Sequence, residues 1–140
     1  MATTTAALTL GSADLLTDAL SLSATKTLHK AGSTVGLDAT TGITTAFLTA
    51  TTNIDIFTTL LDNSGDGPAF AGKTSWVYIC NNSEDETEYG VVTISGNIIG
   101  KLYAGDFAFF PWEANADTND IKIQPSTSAS HTLEYMLFYE

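Results

Sequence analysis

The run Asp62-Asn-Ser-Gly-Asp66-Gly67 is the best candidate in this sequence for holding a cation. Asp62, Ser64 and Asp66 offer oxygen ligands at alternate positions, and a glycine follows, as at the opening of a calcium-binding loop. The pattern then breaks. Pro68 follows the glycine, and Lys73 stands where a bidentate Glu would close the site. Asp, Asn, Ser and Gly are also the residues from which turns are made. The run therefore reads as a turn, with Asp62, Ser64 and Asp66 kept only as candidate ligands. No metal and no cofactor is expected.

Catalytic spacing is equally sparse. His29 and His131 lie far apart in the chain, and each reads as a residue of a strand surface. The Gly-x-Ser-x-Gly elbow, the Walker loop, the Gly-x-Gly-x-x-Gly fingerprint and the His-Glu-x-x-His pair are all absent. Glycoside hydrolysis needs two carboxylates facing each other across a cleft. With 16 acidic residues such a pair can arise by chance, so their number is no signal. Cys80 has no second cysteine with which to form an intramolecular disulfide. Within Trp76-Val-Tyr-Ile-Cys80 it reads as a small buried hydrophobe. Asn81-Asn82-Ser83 fits the N-glycosylation pattern, but without a secretory signal the match reads as chance. The acids Glu84, Asp85, Glu86 and Glu88 read as a solvated hairpin tip, with docking on a basic surface as the sharper alternative. A non-enzymatic protein is expected.

Charge narrows the partners. The 140 residues carry 5 basic and 16 acidic side chains, for a net charge of −11, and arginine is absent. Nucleic-acid binding relies on basic groups that neutralise phosphates and on arginine forks that read guanine. No direct nucleic-acid contact is expected, and an anionic membrane surface would repel the chain. No stretch approaches the roughly 20 continuous apolar residues of a membrane helix. The opening Met-Ala-Thr-Thr-Thr-Ala-Ala-Leu-Thr-Leu has no basic segment and no long apolar run, so it does not read as a signal peptide. Synthesis in a cytoplasm is expected.

The elements that must position these residues read as strands. Residues 1–12, rich in Thr and Ala, are a candidate N-terminal arm, and residues 13–140 a single β-sandwich domain. Residues 13–20 fit one short helical turn capped by Ser12. Leu20-Ser-Leu22-Ser alternates as a strand does. Ile43–Ala50 is mixed, and Ile54–Leu61 fits both periods, with its lack of good helix formers favouring strand. Trp76–Cys80 and Tyr89–Ile94 are apolar runs of strand length around the acidic segment, and together they predict a β-hairpin with a long tip. Ile98–Tyr103, Phe107–Trp112 and Asp120–Gln124 follow as further strands. In His131–Glu140, Leu133, Tyr135, Leu137 and Tyr139 share one face, and Glu134, Met136 and Phe138 share the other. Such a strand needs cover on both sides. This succession of short strands predicts an all-β antiparallel sandwich, jelly-roll-like in style.

Phe107, Phe109, Phe110 and Trp112 lie within six residues. Phe107 and Phe109 fall on one strand face and Phe110 on the opposite one. They can serve a core, a subunit interface, where aromatics are enriched, or a sugar-stacking platform. Trp76 reads as buried and Trp112 as exposed at a strand end.

Several segments carry a resemblance. They are Trp76-Val-Tyr-Ile-Cys-Asn-Asn-Ser, Gly90-Val-Val-Thr-Ile, Lys101-Leu-Tyr-Ala-Gly-Asp-Phe-Ala-Phe-Phe-Pro-Trp112, Asp120-Ile-Lys-Ile and Leu133-Glu-Tyr-Met-Leu-Phe. Their strand order and style, over about half the chain, resemble small virion structural proteins of tailed bacteriophages, especially capsid decoration (cement) proteins. The resemblance implies a homotrimer on the outside of a phage head that clamps neighbouring copies of the major capsid protein. It makes Phe107, Phe109, Phe110, Trp112, Tyr135, Leu137 and Tyr139 interface candidates. It also makes Thr3, Thr4, Thr5, Leu8 and Leu10 candidates for a capsid-contacting arm. The rival reading is a carbohydrate-binding module or the receptor-binding tip of a tail fibre, which needs Trp76 or Trp112 exposed beside polar partners and predicts exposed aromatics around Trp112.

Overall fold

The computed structural model describes residues 3–14, 19–49, 54–55, 75–113, 121–126 and 130–140. Among them the chain is all-β and antiparallel, with no helix. The strands are β1 (Thr4–Ser12), β2 (Leu20–Leu28), β3 (Ala39–Thr40), β4 (Thr44–Thr49), β5 (Ile54–Asp55), β6 (Ser75–Asn81), β7 (Tyr89–Ile94), β8 (Asn97–Tyr103), β9 (Phe107–Pro111), β10 (Ile121–Pro125) and β11 (Ser130–Tyr139). No helix of the described residues is long and apolar enough to cross a membrane.

Two larger sheets form a sandwich-like body. One runs β3-β11-β6-β9, with β4 also paired to β11; the other runs β5-β10-β7-β8. Alternation within each strand puts one set of side chains between the sheets. Val77, Ile79, Leu133, Tyr135 and Leu137 from the first sheet meet Val92, Leu102, Ile121 and Ile123 from the second, and all are buried. Trp112, just past β9, belongs to the same cluster. The apolar runs of the sequence thus form strands because one face of each finds the opposite sheet.

The expected hairpin between Trp76–Cys80 and Tyr89–Ile94 is not formed. β6 lies between β11 and β9, whereas β7 lies between β10 and β8 in the other sheet. The polar segment between them is a crossover from one sheet to the other. It is tied down at its start: the Asn82 amide donates to the Thr132 carbonyl at 2.8 Å, and the Thr132 amide donates to the Ser83 hydroxyl at 3.1 Å. Sequence periodicity reports that a strand is half-buried, not which strand it pairs with, and the overturned hairpin rested on proximity in sequence alone.

Two turns fit their residues closely. β7 and β8 form a true hairpin, in which Ile94 pairs with Asn97 across Ser95 (φ 50°) and Gly96 (φ 76°). Two left-handed residues in succession match the twist of the flanking strands. β8 passes to β9 through Gly105 (φ 84°), while the Asp106 carboxylate accepts from the Tyr103 amide at 2.9 Å. Asn81 holds this second crossover from the side, its amide group donating to the Leu102 carbonyl at 2.9 Å.

The N-terminal segment is more than a single arm. β1 pairs with β2 along nine residue pairs, from Thr4↔Leu28 to Ser12↔Leu20. The resulting ribbon is a sheet of its own. Its root is fastened where the Thr4 hydroxyl donates to the Leu37 carbonyl at 3.1 Å and Lys30 pairs with Asp38 at 2.9 Å. The helical turn expected over 13–20 is cut into at its far end, since Leu20 begins β2; its middle lies outside the described residues.

Candidate functional site

The two sheets differ in what they show to the outside. In an antiparallel pair, residues directly opposite each other share a face. On the second sheet the outward residues include Tyr89, Lys101, Tyr103 and Lys122. Lys101 lies over the Tyr89 ring at 4.1 Å, and the Tyr89 and Tyr103 rings are 5.1 Å apart. Val91 and Ile98 share this face and Ile98 is 72% exposed, so the face mixes charged, aromatic and aliphatic side chains.

The first sheet shows an apolar surface instead. The register sets Trp76 opposite Phe138 and Pro111, Tyr78 opposite Met136 and Phe109, and Cys80 opposite Glu134 and Phe107. All of these stand on the side away from Val77 and Ile79. Trp76 stacks on Phe109 at 5.1 Å, and Phe138 meets Phe109 edge-on at 6.2 Å. Tyr78 lies 6.4 Å from Phe107. Phe107 is 60% exposed, and Phe47, beside Thr132 on the same face, is 74% exposed. The lone carboxylate on the strands of this face is Glu134. Large side chains half-covered by their neighbours and open to solvent above are typical of a surface that another molecule completes.

This divides the sequence-based interface set. Phe107 and Phe109 lie on the outer face. Trp112, Tyr135 and Leu137 are buried in the core, and Phe110 and Tyr139 pack against it. Met136 and Phe138 take the outer positions on β11. The two tryptophans are also exchanged relative to expectation: Trp112 is buried and Trp76 half-buried. Trp112 is drawn in because the Ser75 hydroxyl donates to its carbonyl and its amide donates to the Ser75 carbonyl at 2.9 Å, which closes the end of β9 over the core.

Other expectations are corrected by burial. His131 is not on a strand surface; it is 2% exposed, with Nε2 3.5 Å from the Glu88 carboxylate. Glu88 accordingly leaves the solvated acidic run and faces the interior, while Glu84, Asp85 and Glu86 remain exposed. Both Thr87 groups, hydroxyl and amide, donate to the Asp85 carboxylate and hold its pKa below the usual carboxylate value. The Asn81 side chain of the glycosylation-like motif is buried and bonded within the fold. Cys80 is buried and donates to the Asn82 side-chain oxygen at 3.0 Å. Hydrogen bonding to Cys80, together with burial and the nearby Glu134, pushes the Tyr78 phenol up to about 12. Among the described residues no group of three or more His, Cys, Asp or Glu side chains is placed to hold a metal ion. Asp62, Ser64 and Asp66 lie outside the described residues.

The ribbon forms a second uncovered apolar surface. Leu8, Leu10, Leu20 and Leu22 are 44%, 47%, 48% and 46% exposed. The register places all four on one face together with Ala6 and Ala24, leaving Thr5, Thr9, Thr25, Thr27, Ser21 and Ser23 on the other. Thr3 and Thr4, expected on a capsid-contacting arm, sit at the ribbon's root, and Thr3 lies against Gly36. The Thr-Ala-Leu alternation of residues 4–10 was the available signal for this amphipathic ribbon; it lacks bulk on the polar side and so reads as low in core volume. No protein-family model, curated protein or solved structure matches the chain.

Proposed function

We propose that this chain is a non-enzymatic virion structural protein, a capsid decoration (cement) protein. It binds the outer surface of a phage head as a homotrimer and stabilises contacts between copies of the major capsid protein. It is made in the host cytoplasm, ends on the capsid exterior, and touches neither nucleic acid nor membrane. The observation that carries this reading is the uncovered aromatic face of the β4-β11-β6-β9 sheet on an acidic, arginine-free body. Such a molecule acts by burying surface. Two further features support it. Two antiparallel sheets, β4-β11-β6-β9 and β5-β10-β7-β8, facing each other across one core are compatible with a jelly-roll style of sandwich. The exposed Glu84, Asp85 and Glu86 on the crossover suit a basic partner surface. Weak contacts made three at a time by a trimer multiply into firm attachment.

The experiment is to mix purified protein with expanded phage heads that lack it and to pellet the heads. Saturable co-sedimentation and heads more resistant to heat are expected. Free protein left entirely in the supernatant at micromolar concentration would overturn the reading.

The stacked Trp76–Phe109 pair favours one alternative, a carbohydrate-binding module or tail-fibre tip, because flat aromatic faces also stack on sugar rings. The burial of Trp112 counts against it, and leaves Trp76 as the tryptophan that would meet a sugar. A glycan that quenches Trp76 fluorescence would move the reading to that class.

A further inference from the structure

Among the described residues an aliphatic ribbon face and an aromatic sheet face are both uncovered, and they are complementary in kind. We propose that the leucine face of the β1–β2 ribbon of one copy packs on the aromatic outer face of the β4-β11-β6-β9 sheet of a second copy. The inference concerns self-association in solution and holds whether or not the protein decorates a capsid.

Three observations lead to it. First, a two-stranded hairpin is marginal in water unless one face is covered. This ribbon runs for nine residue pairs, about 30 Å, with four leucines close to half-exposed. Among the described residues the ribbon is fastened at its root, near Leu28, Leu37 and Thr4, while the four leucines stay close to half-exposed. Second, the aromatic face is the matching open surface, and it is wide enough for two further strands to lie across it as one sheet layers on another. Third, the charges fit. Lys26 is the single charged residue within the ribbon strands, and the register puts it on the leucine face opposite Ala6. Glu134 is the single charged residue within the strands of the aromatic face. Docking the two faces brings one cation to one anion inside an otherwise neutral contact. A copy of this chain is the one occupant that both supplies and requires each surface, so reciprocal exchange between two copies, or a closed ring of more, satisfies every copy alike.

The test mixes equal amounts of unlabelled and ¹⁵N-labelled full-length protein, activates carboxylates with a carbodiimide, and maps the cross-linked peptides by mass spectrometry. A Lys26–Glu134 link joining one light and one heavy peptide is expected. Links only between peptides of the same label, or no such link, overturn the proposal. In parallel, light scattering gives the native mass of the double variant Leu10→Asp/Leu22→Asp. A mass reduced to that of one chain, with the body still melting cooperatively, is expected. The control Thr9→Asp/Ser23→Asp, on the ribbon's other face, keeps the wild-type mass. A monomeric wild type, or a leucine variant with unchanged mass, overturns the proposal.

Discussion

At the scale of single residues the molecule separates side chains that look alike in sequence. Tyr78 and Tyr135 both sit in apolar strands, yet Tyr135 is buried in the core and Tyr78 stands on the outer face beside Cys80 and Glu134. The environment of Tyr78 disfavours its phenolate: hydrogen bonding to Cys80 does most, and burial and the Glu134 carboxylate add to it. A phenol whose folded pKa stands above its unfolded value near 10 stabilises the fold fully below about pH 10. That contribution is lost as pH rises through about 12. Spectrophotometric titration at the phenolate band should therefore show one tyrosine that ionises late, and Tyr78→Phe should remove that step. Cys80→Ala should bring it back toward the ordinary range. A Tyr78 that titrates with the exposed tyrosines would mean that the Cys80 contact does not form. Glu88 and His131 teach the same lesson in the core. A histidine opening a strand and a glutamate closing an acidic run give no sequence sign that they will meet at 3.5 Å, because the contact is made by a crossover between sheets.

At the scale of elements, turn chemistry was more legible than partnership. Gly105 sits at φ 84° with nothing near its missing Cβ. Gly105→Ala should cost about 1–2 kcal/mol, from backbone strain alone, read as a lower denaturation midpoint with an unchanged slope. Gly100→Ala in β8, which also has open space around it but no left-handed backbone, should cost much less. Equal losses at both would place the cost in strand propensity. The Gly105-Asp106 and Ser95-Gly96 turns are carried by residues that satisfy local backbone demands, which is information a sequence holds. The strands were readable from period-two alternation. Their pairing was not, since β6 and β7 lie close in sequence and belong to different sheets. Nor could alternation say which face of β9 or β11 is the inner one. Both faces are apolar, and the choice depends on where Val92, Leu102, Ile121 and Ile123 arrive from the opposite sheet. The candidate site was therefore half visible: Phe107 and Phe109 were named from sequence, whereas Trp76, Met136 and Phe138 needed the register.

At the scale of the whole molecule, two apolar surfaces belong to a body with a net charge of −11. Copies that associate bring like charges together, and this repulsion opposes whatever the apolar contact contributes. The two terms respond oppositely to salt. Screening shortens the reach of charge from about 30 Å at 0.01 M to about 8 Å at 0.15 M salt, while burial of leucine and aromatic surface is little affected. If ribbon-on-sheet packing holds the copies together, association must strengthen as salt is added over this range. Sedimentation equilibrium at several salt concentrations should show the dissociation constant falling. The single Lys26–Glu134 pair would weaken slightly under the same change, too little to reverse the trend, because a partly exposed pair is worth at most about 1 kcal/mol. Glu134→Gln should therefore leave the salt trend intact and weaken association only modestly, whereas Leu22→Asp should abolish it. A dissociation constant that rises with salt would place the binding energy in charge pairs and remove the leucine face from the contact.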